Sequence, residues 1–458
     1  MKVKEILNVT KGKMLCGNEE LEVENFSKDT RTIQKGDIYI GIKGEKFDGS
    51  NFWNQALDAG ATAVIVSNIQ ISKEEKEKYK DKTIIQVEDT FEALYEIAKY
   101  KRSLYNIPVI AVTGSVGKTS TKDIIASVVS QKYKTLKTEG NNNNNIGLPL
   151  TILKLKDHEA LVVEMGMNHF GEISLLTNIA KPTLAVITNI GTSHIGNLCS
   201  RENILKAKLE ICDGMSDDGI LVLNGDDDFL PYADIKKPKT KVFFAIENKN
   251  ADVTAENIRL DGRKTLFTIK DKLYGEFECE IPTVGAHNVM NAISAYALVT
   301  RMGYDAKKTA ENLSGYKVSG WRQNFVDKGG VTFIEDCYNA SPDSERAAVN
   351  TLVSVAKGRK ICAFGDMMEL GSAEKELHRQ MGEYAKAKGV DCMWTYGDLA
   401  QNTAEGFGEG AVHFTDRQEY TDFIKKNLKV GDTIVFKASH SRRFEDILAD
   451  IYKETDKQ

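Results

Sequence analysis

The stretch Ile110–Ile124, IAVTGSVGKTSTKDI, sets an apolar run against a glycine-flanked turn, a Lys-Thr-Ser triplet and a helical pattern. A buried strand that passes through a tight turn into a helix is the repeating unit of a parallel α/β sheet. Gly114 and Gly117 allow the turn, which aims backbone N–H groups at an anion beside a helix N-terminus. Lys118 can reach terminal phosphate oxygens, and the Thr119 hydroxyl can ligate Mg²⁺. The usual phosphate-loop spacing, G-x-x-x-x-G-K-[ST], asks for glycine at position 112, and this chain has Val112. The loop is therefore a shortened cradle, which argues against a generic GTPase or ATPase.

The same alternation continues outward from this loop. VIAVT, ALVVEMG, LAVITNI and GILVLNGDD are apolar runs separated by helical patterns, as expected of a parallel sheet covered on both faces. From 251 to 282 the pattern changes to ADVTAENIRL, KTLFTI and EFECEI, which predict antiparallel strands. The helical HNVMNAISAYALVTRMG closes this block. Beyond Tyr316, VTFIEDCY, RKICAFGD, DCMWTYGD, AVHFT and DTIVFKAS again alternate with helices, predicting a second doubly wound sheet. Before Thr83, short strand-like runs (DIYIGI, ATAVIV), a helix near Phe52–Ala59 and the solvated SKEEKEKYKDK form a smaller α/β block. The expected domains are 1–82, 83–314 and 315–458, in line with a length of 458 residues.

Ligands of open parallel sheets gather at the carboxyl ends of the strands. LVVEMGMNH puts Glu164 at such an end, and VITNIGTSHIG puts His194 just beyond the next. Taken singly, Glu164 reads equally as a helix-cap acid and His194 as a satisfied loop histidine. Taken with the phosphate loop, a carboxylate and an imidazole can hold Mg²⁺ beside phosphates on Lys118, although histidine is an unusual magnesium ligand. In ILKAKLEICD, Lys206 and Lys208 lie two apart and cannot share a helix face, so at most one turns inward.

Bulk properties narrow the classes. Hydrophobic residues make up 41% and charged residues 28%, with a net charge of −5 and no basic run of the kind that binds nucleic acid. The N-terminal MKVKEILNVTKGKMLCGNEE lacks the apolar core of a signal peptide, and no run is long enough to span a bilayer. The 7 cysteines are scattered and include no C-x-x-C pair, which predicts reduced thiols in a cytoplasmic protein without structural zinc.

TGSVGKTS, EMGMNH, TNIGTSH and AKLEI, in this order, resemble the Mur ligases, ATP-dependent amide-bond formers of peptidoglycan synthesis. The family's shortened loop, T-G-x-x-G-K-[ST], accounts for Val112. The resemblance spans nearly the whole chain. It implies an N-terminal UDP-substrate domain, a central P-loop ATPase-like domain and a C-terminal Rossmann-like domain. DTRTIQKGDIYIGIKGEKFDGSNF, GNNNNNIGLPLTIL, EDCYNASPDS and GDMMELG are most similar to those members that join D-Ala-D-Ala to UDP-N-acetylmuramoyl-tripeptide. The Asp-Asn-Pro-Arg motif often found in the member that adds the third peptide residue is absent.

The resemblance implies roles residue by residue. Gly114, Ser115, Val116, Gly117, Lys118, Thr119 and Ser120 would hold ATP phosphates. Thr119, Glu164, His194 and Lys208 would serve two Mg²⁺ ions, Lys208 matching a lysine that is carbamoylated in many relatives. GAHNVMN would bring His287, Asn288 and Asn291 to the nucleoside, with Arg322 on phosphate and Asp336 on ribose. Thr30, Arg31, Lys43 and Gly44 would face the UDP-sugar. Asn144, Asn145, Asn339, Lys437 and Ser439 would line the peptide end. A monomer is expected.

Two positions depart from the pattern: Ser50 stands where relatives have histidine, and His440 where they have arginine, which leaves Arg442 or Arg443 as a replacement. The competing readings are a sister ligase, a folylpolyglutamate-type relative, and a regulatory protein on a degenerate ligase scaffold.

Overall fold

The computed structural model describes residues 1–44 and 47–455, so Glu45 and Lys46 of the N-terminal motif lie outside it. Among the described residues the chain forms three sheets, of five, nine and six strands. Together they make the three-part α/β architecture that the alternation predicts.

The first sheet runs in the order Lys13–Cys16, Thr83–Val87, Ala63–Ser67, Ile38–Ile40, Phe26–Ser27, with only the first pair antiparallel. This corrects the expected boundary at residue 82. TIIQV, assigned by sequence to the central block, lies between two N-terminal strands, with Ala63 opposite Thr83 and Ser67 opposite Val87. A buried apolar run satisfies either sheet locally, and only its long-range partner decides which one it joins. Helix Thr90–Ser103 then crosses to the central sheet. It packs against Val3–Thr10 on one side and against Gly147–Leu153 and Glu172–Ala180 on the other. One continuous apolar core consequently joins the first two sheets, running from Val3 and Ile6 through Ile97 to Ile173 and Leu223.

In the central sheet Val109–Thr113 lies between Leu184–Ile187 and Ala160–Glu164, and all three are parallel and fully buried. Val253–Asp261, Lys264–Asp271 and Gly275–Ile281 form the expected antiparallel end, the first of them also pairing parallel with Thr240–Ala245. Helix Ala286–Arg301 covers one face and is buried nearly all round, as its run of alanines and aliphatics requires. The third sheet orders as Asn324–Lys328, Val331–Glu335, Thr433–Lys437, Lys360–Gly365, Cys392–Tyr396, Ala411–Phe414, antiparallel only at the first pair. No described helix is long and apolar enough to cross a membrane.

Ser50 is buried, and its hydroxyl donates to the Gly41 carbonyl (3.2 Å) and accepts from the Ser67 amide (2.9 Å). It clasps two neighbouring strands rather than facing outward. Ser50→Ala strands a buried N–H and should cost about 1–3 kcal/mol. The expected result is a lowered first thermal transition in calorimetry; an unchanged trace would show that the clasp is dispensable.

Candidate active site

The carboxyl ends of the central strands open into one cavity of about 500 Å³, closed from above by the C-terminal domain. That volume suits a nucleotide-sized ligand. The phosphate loop forms its floor. Gly117 has φ of +84°, and a Cβ there would lie 2.5 Å from Asn291 Oδ1. At Gly114 a Cβ would come within 1.8 Å of Thr188 Oγ1. Only glycine fits at either position. The Ser115 amide donates to the Asn189 carbonyl and the Val116 amide to Asn189 Oδ1, both at 3.0 Å. These two residues therefore shape the turn. Lys118 Nζ folds back over the loop, donating to the carbonyls of Gly114 (2.9 Å) and Ser115 (3.2 Å). Burial pulls the pKa of this ammonium below the usual lysine value, while nearby Glu164 acts in the opposite sense.

Glu164 ends its strand almost wholly buried. Thr119 Oγ1 donates to its Oε2 at 2.7 Å and Asn143 Nδ2 to its Oε1 at 2.8 Å. Arg322 Nη2 in turn donates to Thr119 Oγ1 at 2.9 Å, and its guanidinium lies 4.1 Å over the Tyr338 ring. Tyr338 reaches back to Asn141 Oδ1 at 3.0 Å. His194 takes a left-handed backbone (φ 64°) and lines the same cavity. Its Nδ1 lies 2.6 Å from Glu369 Oε2, in a short contact too far off-line to count as a hydrogen bond. That contact with His194 holds the Glu369 carboxyl below its ordinary range. Lys208 is the lysine that turns inward, with 1% exposure, while Lys206 is exposed. Among the described residues nothing hydrogen-bonds or pairs with Lys208. Burial, and then the neighbouring Lys118 charge, push its pKa well below the usual value.

A hydroxyl and a carboxylate 2.7 Å apart are hard oxygen donors of the kind Mg²⁺ takes, so the set fits that ion. His194 shares the cavity with them, and Lys208 lies close enough to Lys118 for their charges to interact.

His287, Asn288, Asn291 and Ser120 line the cavity, as do Asp336, Asn339 and Lys437 from the C-terminal domain. Lys437 Nζ donates to Asp336 Oδ2 at 2.8 Å. Asn144 lines the cavity and caps the following helix through the Gly147 amide (2.8 Å). Other expected residues stand apart from this cavity. Asn145 is absent from the lining, and so is Ser439, whose hydroxyl instead accepts the Met368 amide at 2.9 Å. Thr30, Arg31, Lys43 and Gly44 do not line it either; Arg31 is exposed and pairs with Asp29 at 2.6 Å. Neither candidate replacement arginine is free: Arg442 pairs with Asp366 and Asp398, and Arg443 with Asp446. Sequence reasoning assigned no role to Asn143, Tyr338 or Glu369, although each lies inside a motif that drew attention.

A three-part α/β chain with a shortened phosphate loop, an acid–hydroxyl pair and an arginine reaching the loop from the C-terminal side has the build of an ATP-using ligase of the kind that activates a carboxylate. Comparison with known proteins narrows the class. Residues 22–102 match the family described as "Mur ligase family, catalytic domain", 112–299 the "Mur ligase middle domain" and 321–440 the "Mur ligase, glutamate ligase domain". The chain is 39% identical to the UDP-N-acetylmuramoyl-tripeptide–D-alanyl-D-alanine ligase of Bacillus subtilis, covering 98% of both chains. Against the ligase of the same name from Escherichia coli it is 32% identical, covering 94% of each. Among solved structures, MurF from Acinetobacter baumannii superposes with a TM-score of 0.89 at 30% identity, covering 99% of this chain and 98% of that one. MurF from Thermotoga maritima in complex with ADP gives 0.83 at 28% identity, covering 95% and 98%. The chain belongs to the Mur ligase family, within its MurF branch.

Burial holds the His287 imidazole neutral, bringing its pKa down to about 4. The unfolded chain, with an ordinary histidine, binds a proton first as pH falls. Stability tied to this residue is therefore full above about pH 6.5 and is lost as pH falls toward 4. His287→Asn should flatten that part of the melting-temperature profile between pH 7 and 4; an unaltered slope would show that the ring is not held neutral.

Proposed function

We propose that the protein joins D-Ala-D-Ala to UDP-N-acetylmuramoyl-tripeptide, cleaving ATP to ADP and phosphate, in peptidoglycan precursor synthesis. The observation that carries this reading is the full-length likeness, 39% over 98% of both chains, to a ligase of that name. The cavity chemistry supports it. Lys118 and Thr119 stand where a polyphosphate would end, and the nucleoside side is walled by His287, Asn288 and Asn291. Asp336 offers a carboxylate for a ribose, and Arg322 a guanidinium for phosphate. Asn144, Asn339 and Lys437 face the same space and suit the peptide end, to which Asn145 and Ser439, outside the lining, are also assigned. Thr30, Arg31, Lys43 and Gly44 are assigned to the UDP-sugar, on a separate surface. The enzyme works as a cytoplasmic monomer.

A carboxylate is a poor electrophile, so the substrate's terminal carboxylate first attacks the γ-phosphate and becomes an acyl phosphate. The amine of D-Ala-D-Ala then adds to that carbonyl, and phosphate departs. The first step brings two anions together. Lys118 offsets their repulsion, since its present partners are two neutral carbonyls that phosphate oxygens outcompete. Thr119, Glu164, His194 and Lys208 would hold Mg²⁺, which when bound neutralises phosphate charge and polarises the transferred group. Burial of Lys208 without a counter-charge supports its carbamoylation, which would replace a desolvated cation by a carboxylate-like anion. The C-terminal wall excludes water from the acyl phosphate.

Lys118→Ala should keep the wild-type melting profile and lose turnover roughly a thousandfold. Phosphate release is measured with ATP, UDP-tripeptide and D-Ala-D-Ala, omitting each in turn. Near wild-type turnover in the variant, or release that ignores D-Ala-D-Ala, would overturn the reading.

A further inference from the structure

The loop that carries His194 is fastened by two domains in succession. Up to Gly191 it is tied within the central domain: the Ile190 amide donates to Asp227 Oδ2 (2.7 Å) and the Gly191 amide to Ser115 Oγ (2.8 Å). From Thr192 to Gly196 the hydrogen-bond ties to other segments cross to the C-terminal domain, apart from a 3.4 Å contact of Ser193 Oγ with the Ser115 carbonyl, and the central domain takes hold again at Leu198, whose carbonyl accepts from Asn203 Nδ2 at 2.8 Å. The Thr192 amide faces Asp343 Oδ2 at 3.3 Å. The Gly196 amide donates to the Glu369 carbonyl at 3.1 Å. Gly196 and Gly371 abut so closely that a Cβ on Gly196 would lie 2.7 Å from the Gly371 amide nitrogen. Glu369 has φ of 66°, a conformation that costs a non-glycine residue and needs surrounding contacts to hold it. Its carboxylate meets His194 Nδ1 at 2.6 Å.

We propose that Glu369 is a positioning residue: reaching over from the C-terminal domain, it sets the His194 loop, so that the imidazole side of the site is complete only with that domain docked. This rests on the ligase reading for its purpose. The contacts stand without it. The site that receives the γ-phosphate is then assembled by the movement that shuts out water. ATP in an undocked enzyme meets an unset loop.

The test uses the full-length protein. Backbone hydrogen exchange is followed over residues 190–198 without nucleotide or metal, in wild type, Glu369→Gln and Glu369→Ala. Exchange at 192–198 should quicken about fivefold or more in Glu369→Ala and less in Glu369→Gln, with strand Val109–Thr113 unaffected. In ligase assays kcat of Glu369→Ala should fall about tenfold or more, with KM for ATP within about twofold. Gly196→Ala, which wedges the same contact apart, should reproduce both effects. Unchanged exchange overturns the proposal whatever the kinetics. Faster exchange with undiminished kcat overturns it too, leaving only a latch. A wild-type protein without ligase turnover would sink the ligase reading, and exchange alone would then decide whether Glu369 holds the loop.

Discussion

Thr119 Oγ1 is the atom at which the parts of this molecule meet. It gives its proton to Glu164, 2.7 Å away at the end of the neighbouring strand, and accepts from Arg322 at 2.9 Å, on the segment leading into the C-terminal sheet. A hydroxyl has one proton and two lone pairs. With the proton and one lone pair engaged, a second lone pair remains for an ion or a phosphate oxygen. The contact thus fixes loop, acid and guanidinium without exhausting the group that chemistry needs. It also satisfies the acid: a carboxylate as buried as Glu164 needs hydrogen bonds on both oxygens, and Thr119 and Asn143 supply them.

The two domain junctions differ in kind, and that difference bears on motion. The N-terminal and central sheets share one apolar core through helix Thr90–Ser103, and separating them would expose aliphatic surface. The C-terminal domain meets the central one mainly through polar contacts: Arg322 on Thr119, Tyr338 on Asn141, Asp343 on Thr192, Ser319 on Asp123. Water can replace each of these at small cost, so this is the junction built to part and close.

Much of this was legible because fully buried parallel strands must be apolar along their whole length. Val109–Thr113, Ala160–Glu164 and Leu184–Ile187 announced themselves in that way, and Lys118, Thr119, Glu164 and His194, picked out from where those runs end, line one cavity. The spacing of Lys206 and Lys208 correctly demanded that one face outward. What stayed hidden depends on distant partners. Thr83–Val87 carries no local mark of which sheet it joins. Thr135–Lys137 is a short, half-buried edge strand with no apolar run to announce it. Asn143 and Glu369 gain meaning only when a strand end or another domain comes within 3 Å. Arg442 looked available only because Asp366 and Asp398, which engage it, could not be placed from sequence, whereas Arg443 pairs locally with Asp446 three residues on.

The remaining question is how the charges around the phosphate loop are balanced. Lys118 feels Glu164, Arg322 and Glu369, and its own charge adds to burial in weakening the hold of Lys208 on a proton. In a folded protein such crowding is costly unless a counter-charge arrives. Around the cavity Glu164, Glu172, Asp336, Asp343 and Glu369 stand against Lys118, Arg322 and Lys437, so the cations are concentrated at the phosphate loop and do not form a general excess. A nucleotide triphosphate and a carboxylate substrate each relieve part of the strain. Binding the first leaves less attraction for the second unless another cation enters with the nucleotide. A divalent ion entering with the nucleotide would offset the phosphates and the acids around them, as the chemistry of phosphoryl transfer also favours.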